Sequence, residues 1–300
     1  MAKGILEQLK QGVVMGDGGY VEEARSRGYG TPRMVAEFPN VLRMLHQDFF
    51  RAGAHVLQAQ TGWATRSHLE QRMGKGWGGR VEEVNRKAVG LAREVAGDEA
   101  LVAGCVWPSG VFNPDDAGSR DRARSEWEEQ VAVMKGAGVD LLICESFRRL
   151  DEARLALACC KRVSIPTMVT VGLGWKEQTT PDGASPAECA RALVGDGADI
   201  VGSNGAREPE DMLPLALEMR EAVDAPICYQ PSGFRVSWPG WEEVRESMFI
   251  PGFEMISYAL QAKMHGIDYI GGDEGAGPEL IRAVAQALGC ERYRVNLHPR

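Results

Sequence analysis

Short, nearly continuous apolar runs recur along the whole chain, at Gly12–Met15, Ala54–Gln58, Ala100–Val106, Asp140–Cys144, Pro166–Val171, Asp199–Gly202, Pro226–Tyr229 and Asp268–Gly271. They are rich in Val, Ile and Leu and lack the in–out alternation of a half-exposed sheet, as expected for parallel strands covered on both faces. Between them lie segments with apolar residues at i, i+3 and i+4, such as Val41, Leu42, Leu45, Phe49 and Phe50, or Leu155, Ala158 and Cys159. These read as helices with one buried stripe. Pro39 and Pro278 stand where a first helical turn accepts proline. Four strands are preceded by a glycine suited to ending a helix in the left-handed conformation, within Arg51–Ala54, Lys135–Asp140, Gly195–Asp199 and His265–Asp268.

Eight strand–helix units with no Pro-, Gly- or Ser-rich linker between them predict an α/β fold. They make one (β/α)₈ barrel domain spanning residues 1–300. A doubly wound open sheet uses the same alternation. Its G-x-G-x-x-G turn is absent, however, and Gly16-Asp17-Gly18-Gly19 carries an acid where a phosphate would sit.

Composition narrows the function. A formal net charge of −8 and the lack of a basic stretch interleaved with aromatics argue against nucleic acid as a partner. No apolar run approaches the ~20 residues of a membrane helix, and Met1-Ala2-Lys3-Gly4 opens on a polar stretch. A cytoplasmic location is the expectation. The seven cysteines are odd in number and form no C-x-x-C pair, which points to buried thiols in a reducing compartment.

In such a barrel the chemistry gathers where strands end. The residues just past the strands are Asp17, Thr61 and Trp63, Trp107, Glu145, Trp175, Asn204, Gln230 and Ser232, then Asp273 and Glu274. That ring is acidic and aromatic. It suits a cationic ligand, since carboxylates attract charge and aromatic faces attract onium groups. Glu145, Asp273 and Glu274 are the candidate catalytic groups; Asp17, Gly18, Thr61, Trp63, Glu145 and Asn204 are the candidate substrate-binding residues. Asp17 could instead only close a turn, and Asp273-Glu274 could cap the following helix. Trp63 and Trp107 could be core, and His46 and His265 fall on helical patterns that suggest packing or exposure rather than catalysis.

Gly16–Tyr20, Phe38-Pro39, Ala52–Gln58 with Thr61, Val139–Phe147, Ile200–Asn204, Tyr269–Gly272 and Pro278–Ala283 together resemble, in order, the betaine–homocysteine and homocysteine S-methyltransferases. The resemblance implies a barrel that moves a methyl group from an onium donor to homocysteine sulfur. It also implies a zinc ion on three cysteines. Those positions here are Gly205, Asp273 and Glu274, so no metal site and no cofactor are expected. Any metal held there would be a hard cation on oxygen. Asp17 and Glu145 match acids that, by the resemblance, hold the acceptor's ammonium group. Trp63 stands where the family has a tyrosine of the donor box, while Gly30 and Ser146 replace its tryptophan and a second tyrosine.

The expected activity is therefore methyl transfer from an onium-type donor to a small-molecule acceptor, amino-acid-like or other, without the three-cysteine zinc site. A hydrolase or lyase using the same carboxylates, and a non-catalytic binder of a cationic small molecule, are the alternatives. A homo-oligomer is compatible with all three.

Overall fold

The computed structural model describes residues 3–30, 33–174, 177–236 and 248–290. Eight parallel strands run β1 (Val14–Met15), β2 (Val56–Ala59), β3 (Leu101–Val106), β4 (Leu141–Phe147), β5 (Thr167–Val171), β6 (Ile200–Asn204), β7 (Ile227–Gln230) and β8 (Tyr269–Ile270). Each pairs with the next from β2 through β8, and β8 pairs with β1. The ring closes where the His55 N–H donates to Met15 O at 2.8 Å, joining the start of β2 to the end of β1. The predicted (β/α)₈ barrel is the fold observed. The strands fall within three residues of the apolar runs.

A helix follows every strand: Pro39–Ala52, Val81–Ala96, Ala117–Ala137, Leu150–Cys160, Pro186–Gly195, Pro209–Ala222, Gly252–Met264 and Pro278–Leu288. Gly53, Gly138, Gly197 and Gly266 have φ of +113°, +85°, +95° and +78°, the left-handed geometry that an L side chain disfavours. They turn four helices back into strands, as their spacing suggested.

Two apolar layers result from the period-2 geometry of the strands. Residues facing outward pack under the helices. Those facing inward, Val14, Val56, Leu101, Ala103, Leu141, Ile143, Met168, Ile200, Cys228 and Tyr269, fill the barrel. Ile5 and Leu9, on a short helix Ile5–Leu9 ahead of β1, join this inner cluster. That helix has no counterpart in the strand–helix repeat and was not expected. One step of two residues further along the strands, the inward positions become polar: Gln58 after Val56, Glu145 after Ile143, Thr170 after Met168, Gln230 after Cys228. The apolar plug below and the polar layer above define which end of the barrel carries chemistry.

Candidate active site

A cavity of about 630 Å³ opens over that polar layer. Gly18, Trp63, Trp107, Glu145, Ser146, Asp273 and Glu274 line it together with Gln58, Gln60, Glu22, Arg25, Gln71 and Arg72. Of the residues past the strand ends, Trp63, Trp107, Glu145, Asp273 and Glu274 line it, whereas Asp17, Thr61, Asn204, Gln230 and Ser232 do not.

Asp17 lies beneath the cavity, fully buried. Its Oδ2 accepts from the Gln58 backbone N–H at 2.7 Å and the Tyr20 hydroxyl at 3.0 Å, while Oδ1 has no partner. The tight glycine run around it has a packing cause. A Cβ on Gly18 would lie 2.0 Å from Ala276 O, and one on Gly19 would lie 2.6 Å from Asp273 O. Only glycine lets the loop after β1 press against the loop after β8.

Glu145 rises from β4 where the β4–β5 register shifts between Cys144 and Phe147. The following Ser146 has φ +64°, a strained value for a residue with a side chain. This bulge aims Glu145 into the mouth. Its Oε1 accepts from Trp107 Nε1 at 2.7 Å. Gln58 stands beside both acids from β2: its backbone N–H donates to Asp17, its side-chain Oε1 accepts from Cys105 Sγ at 3.0 Å, and its amide favours the ionised form of Glu145 and Asp17.

Asp273 completes a triangle of acids. Its Oδ2 accepts from Asn204 Nδ2 at 2.6 Å and its Oδ1 from the Glu274 N–H at 2.8 Å. Burial pushes all three carboxyls up: Asp17 to about 7, Glu145 to about 8 and Asp273 to about 6. The charge of Asp273, then that of Asp17, adds to the effect on Glu145, while hydrogen bonds from Trp107 and Gln58 oppose it. Among the cavity-lining residues the guanidinium groups are those of Arg25 and Arg72. Three acids raised this way are poised to ionise when a cation arrives.

Gly205 and Asp273-Glu274, where the resemblance implies thiolates, meet beside this cluster. Gly205 sits at φ +60°, and a Cβ there would lie 2.8 Å from Asp273 Oδ2, closer than contact allows. A side chain at 205 and Asp273 in its present place therefore exclude each other. Gly205 offers no ligand, and both oxygens of Asp273 already accept hydrogen bonds. Among the described residues no group of three His, Cys, Asp or Glu side chains is placed to hold a metal ion. The donor set does not fit zinc, which takes four N or S ligands in closed sites.

Several sequence-based assignments change. Thr61 is fully buried, and its hydroxyl donates to Cys105 O at 2.9 Å and accepts from the Cys105 N–H at 2.8 Å. It ties β2 to β3 and is not among the cavity-lining residues. Asn204 is buried with its amide fully engaged, so it has no group left for substrate. Ser232 braces the β8 loop through Glu274 O at 3.2 Å, and Gln230 accepts from Cys228 Sγ at 3.0 Å. Trp63 does face the cavity, but the Arg72 guanidinium already covers its ring at 3.3 Å, and Trp107 meets it edge-on with centroids 4.4 Å apart. Trp175 lies outside the described residues.

Two groups escaped the sequence reading. Gln58 ends an apolar run in the sequence, and lying two positions beyond inward-facing Val56 it enters the polar layer of the mouth. His46 packs inside its helix pattern as expected, yet its Nδ1 sits 2.7 Å from the Tyr20 hydroxyl. With Tyr20 donating to Asp17, His46 must donate from Nδ1, and burial holds its pKa down at about 3. Neutral His46 thus fixes the hydroxyl that fixes Asp17.

The homocysteine S-methyltransferase family model matches residues 14–288 of the chain. Betaine–homocysteine S-methyltransferase 1 of Danio rerio is 36% identical over 97% of this chain and 76% of its own length. The S-methylmethionine–homocysteine S-methyltransferase BHMT2 of Pongo abelii is 35% identical, covering 97% and 82%. Among solved structures, the metallated form of the Escherichia coli homocysteine methyltransferase MmuM superposes with a TM-score of 0.76 at 19% identity, covering 94% of this chain and 98% of that one. Its apo form gives a TM-score of 0.72 at 21% identity, covering 95% and 98%.

Proposed function

The chain belongs to the homocysteine S-methyltransferase family and is a methyltransferase, and we propose on that premise that it transfers a methyl group from an onium donor to an amino-acid acceptor without zinc. The observation that carries this reading is the acid triangle of Asp17, Glu145 and Asp273 at the cavity floor, joined to a corner where Gly205 and Asp273 leave no zinc ligand set. Homocysteine is the first acceptor to test. Glycine betaine and S-methylmethionine are the first donors, because the relatives carry those names.

In this reading Asp17 and Glu145 ionise around the acceptor's ammonium group, with Gln58 beside them. Asp17 presents its unpartnered Oδ1, and Glu145 is steadied by Trp107. Gly18 and Gly19 bring backbone close to the ligand. Asp273, with a pKa of about 6, is ionised at neutral pH and serves as general base. It takes the acceptor's S–H proton while the sulfur lone pair forms the new S–CH₃ bond. The old bond from methyl carbon to nitrogen or sulfur breaks, its electron pair stays on that atom, and the onium charge of the donor is lost. The remaining requirement is alignment of sulfur, methyl carbon and leaving atom, which a rigid barrel mouth provides. Glu274 lines the same wall and adds negative charge where the donor cation approaches. Trp63 and Trp107 offer the aromatic part of the donor's surroundings.

Small molecules are the partners in this reading. No helix among the described residues is long and apolar enough to cross a membrane, and the cysteines among them are all free, which supports a cytoplasmic enzyme.

The test is turnover. Purified enzyme treated with a chelator is given homocysteine and each donor, and methionine is followed by mass spectrometry. Methionine formation that survives chelation supports the proposal. Strict dependence on added zinc would refute its metal-free part. Donor consumption without a methylated acceptor would refute transfer to homocysteine and favour hydrolysis.

A further inference from the structure

Asn204 ends β6 and reaches three other elements of the mouth. Its Oδ1 accepts from the Ser146 N–H at 2.9 Å and the Thr170 hydroxyl at 2.6 Å. Its Nδ2 donates to Ser146 Oγ at 3.0 Å and to Asp273 Oδ2 at 2.6 Å. The amide cannot be reversed, since that would set an N–H against the Ser146 backbone N–H and an oxygen against the Asp273 carboxylate. It is 1% exposed, and with Oδ1 and both N–H groups engaged it has no capacity for substrate. The residues it grips are the strained Ser146, next to Glu145, and Asp273, beside the gap left by Gly205.

We propose that Asn204 is a positioning residue for methyl transfer. It holds the Asp273 carboxylate in the corner beside Gly205, and it locks the Ser146 bulge that aims Glu145. This rests on the reading of Asp273 as the base. An Asn at the end of β6 thus sets the geometry of both ends of the acceptor, the nucleophile through Asp273 and the ammonium through Glu145. The groups facing Asp273 are otherwise acidic or neutral: Glu145 from β4, Cys228 from β7, Glu22 from the helix Tyr20–Ser26 and Glu274 beside it. With those neighbours, loss of the Asn204 donor leaves Asp273 less able to carry charge.

Asn204→Ser removes the donor. Asn204→Asp keeps the acceptor that Ser146 and Thr170 need but turns an oxygen toward Asp273, and it serves if the serine variant does not fold. Asp273→Asn is the reference. The first readout needs no turnover: the ¹³C resonance of the Asp273 side-chain carboxyl, identified by its loss in Asp273→Asn, is titrated in ligand-free protein. Its midpoint should rise by about one pH unit, a tenfold change in proton affinity. The second readout uses homocysteine and S-methylmethionine as probes. The turnover number kcat should fall roughly tenfold or more, and homocysteine affinity measured by calorimetry should weaken as the Ser146 bulge that aims Glu145 loosens. A folded variant with the Asp273 midpoint unmoved, or with kcat unchanged, overturns the positioning role. Wild-type kcat in Asp273→Asn would instead overturn the base reading beneath it, so the two failures are distinguishable.

Discussion

Glu145→Gln should make the empty protein more stable above neutral pH and the liganded one weaker. The side chain is 6% exposed, with a pKa raised from an ordinary 4.5 to about 8, mainly by burial and then by Asp273. Between those two values the unfolded chain has lost the proton that the folded chain keeps. Stability is therefore lost as pH rises through that window and levels off above it. Roughly 2.5 units of the window lie below pH 7, so at about 1.4 kcal/mol per unit the mismatch costs the fold roughly 3 kcal/mol there. Glutamine cannot ionise and can still accept from Trp107 Nε1 at 2.7 Å. The variant should match wild type near pH 4.5 and melt several degrees higher at pH 7 to 8. Binding moves the other way. A cationic acceptor must pull the proton off wild-type Glu145, so homocysteine binding near pH 7 should release protons, read by calorimetry in two buffers of different ionisation enthalpy. The variant should release fewer and bind more weakly by roughly 2–5 kcal/mol. Parallel melting curves at every pH, together with unchanged homocysteine affinity, would refute both the buried-acid account and the ammonium site.

Asp17→Asn should behave likewise through its own window, from its ordinary value up to about 7, with calorimetry and melting as the checks. Purified protein should contain well under one equivalent of zinc by elemental analysis; stoichiometric zinc that resists mild chelation would show that ligands come from elsewhere. Arg72→Ala should uncover the Trp63 ring and tighten binding of a small quaternary ammonium ion severalfold, whereas Trp63→Ala should weaken it by roughly 1 kcal/mol. Weaker binding in Arg72→Ala would mean that the guanidinium itself holds the ligand. Asp273→Asn should flatten the acidic limb of the pH–rate profile near pH 6 and lower kcat roughly a hundredfold, and an unchanged limb would remove Asp273 from proton transfer.

The barrel was legible because its evidence is local. Each apolar run, helical stripe and left-handed glycine is a few residues long, and eight repetitions leave little choice of closed architecture. The acids were legible for a related reason, since the residue after a barrel strand points at the mouth wherever the strand lies in sequence. What each side chain does there was not legible, because it depends on partners far along the chain. Asn204 and Thr61 stood at strand ends like true ligands, yet the structure engages one with Ser146, Thr170 and Asp273 and the other with Cys105. Trp63 had the right ring in the right place, but Arg72 had already taken its face. Nothing in the pattern singles out Gln58, because an amide carries no charge, although it favours the ionised form of both Asp17 and Glu145.

The same contrast bears on how the site works without thiolate ligands. A zinc centre brings positive charge to the acceptor; this floor brings three acids, and its guanidinium groups stand at Arg25 and Arg72 on the lining rather than among those acids. In the empty state at neutral pH burial keeps the proton on Glu145, whose repulsion from Asp273 and Asp17 adds to the effect, leaves Asp17 close to its midpoint and leaves Asp273 ionised. Each arriving cation, first an ammonium and then an onium, makes ionisation of the next acid less costly. The two substrates should therefore assist each other's binding through the shared carboxylates, although they are alike in charge. Transfer of the methyl group then removes the onium charge, leaving Glu145 and Asp273 facing one cation where there were two. Their affinity for a proton rises at that step, and in the proposed mechanism Asp273 takes the one the acceptor loses.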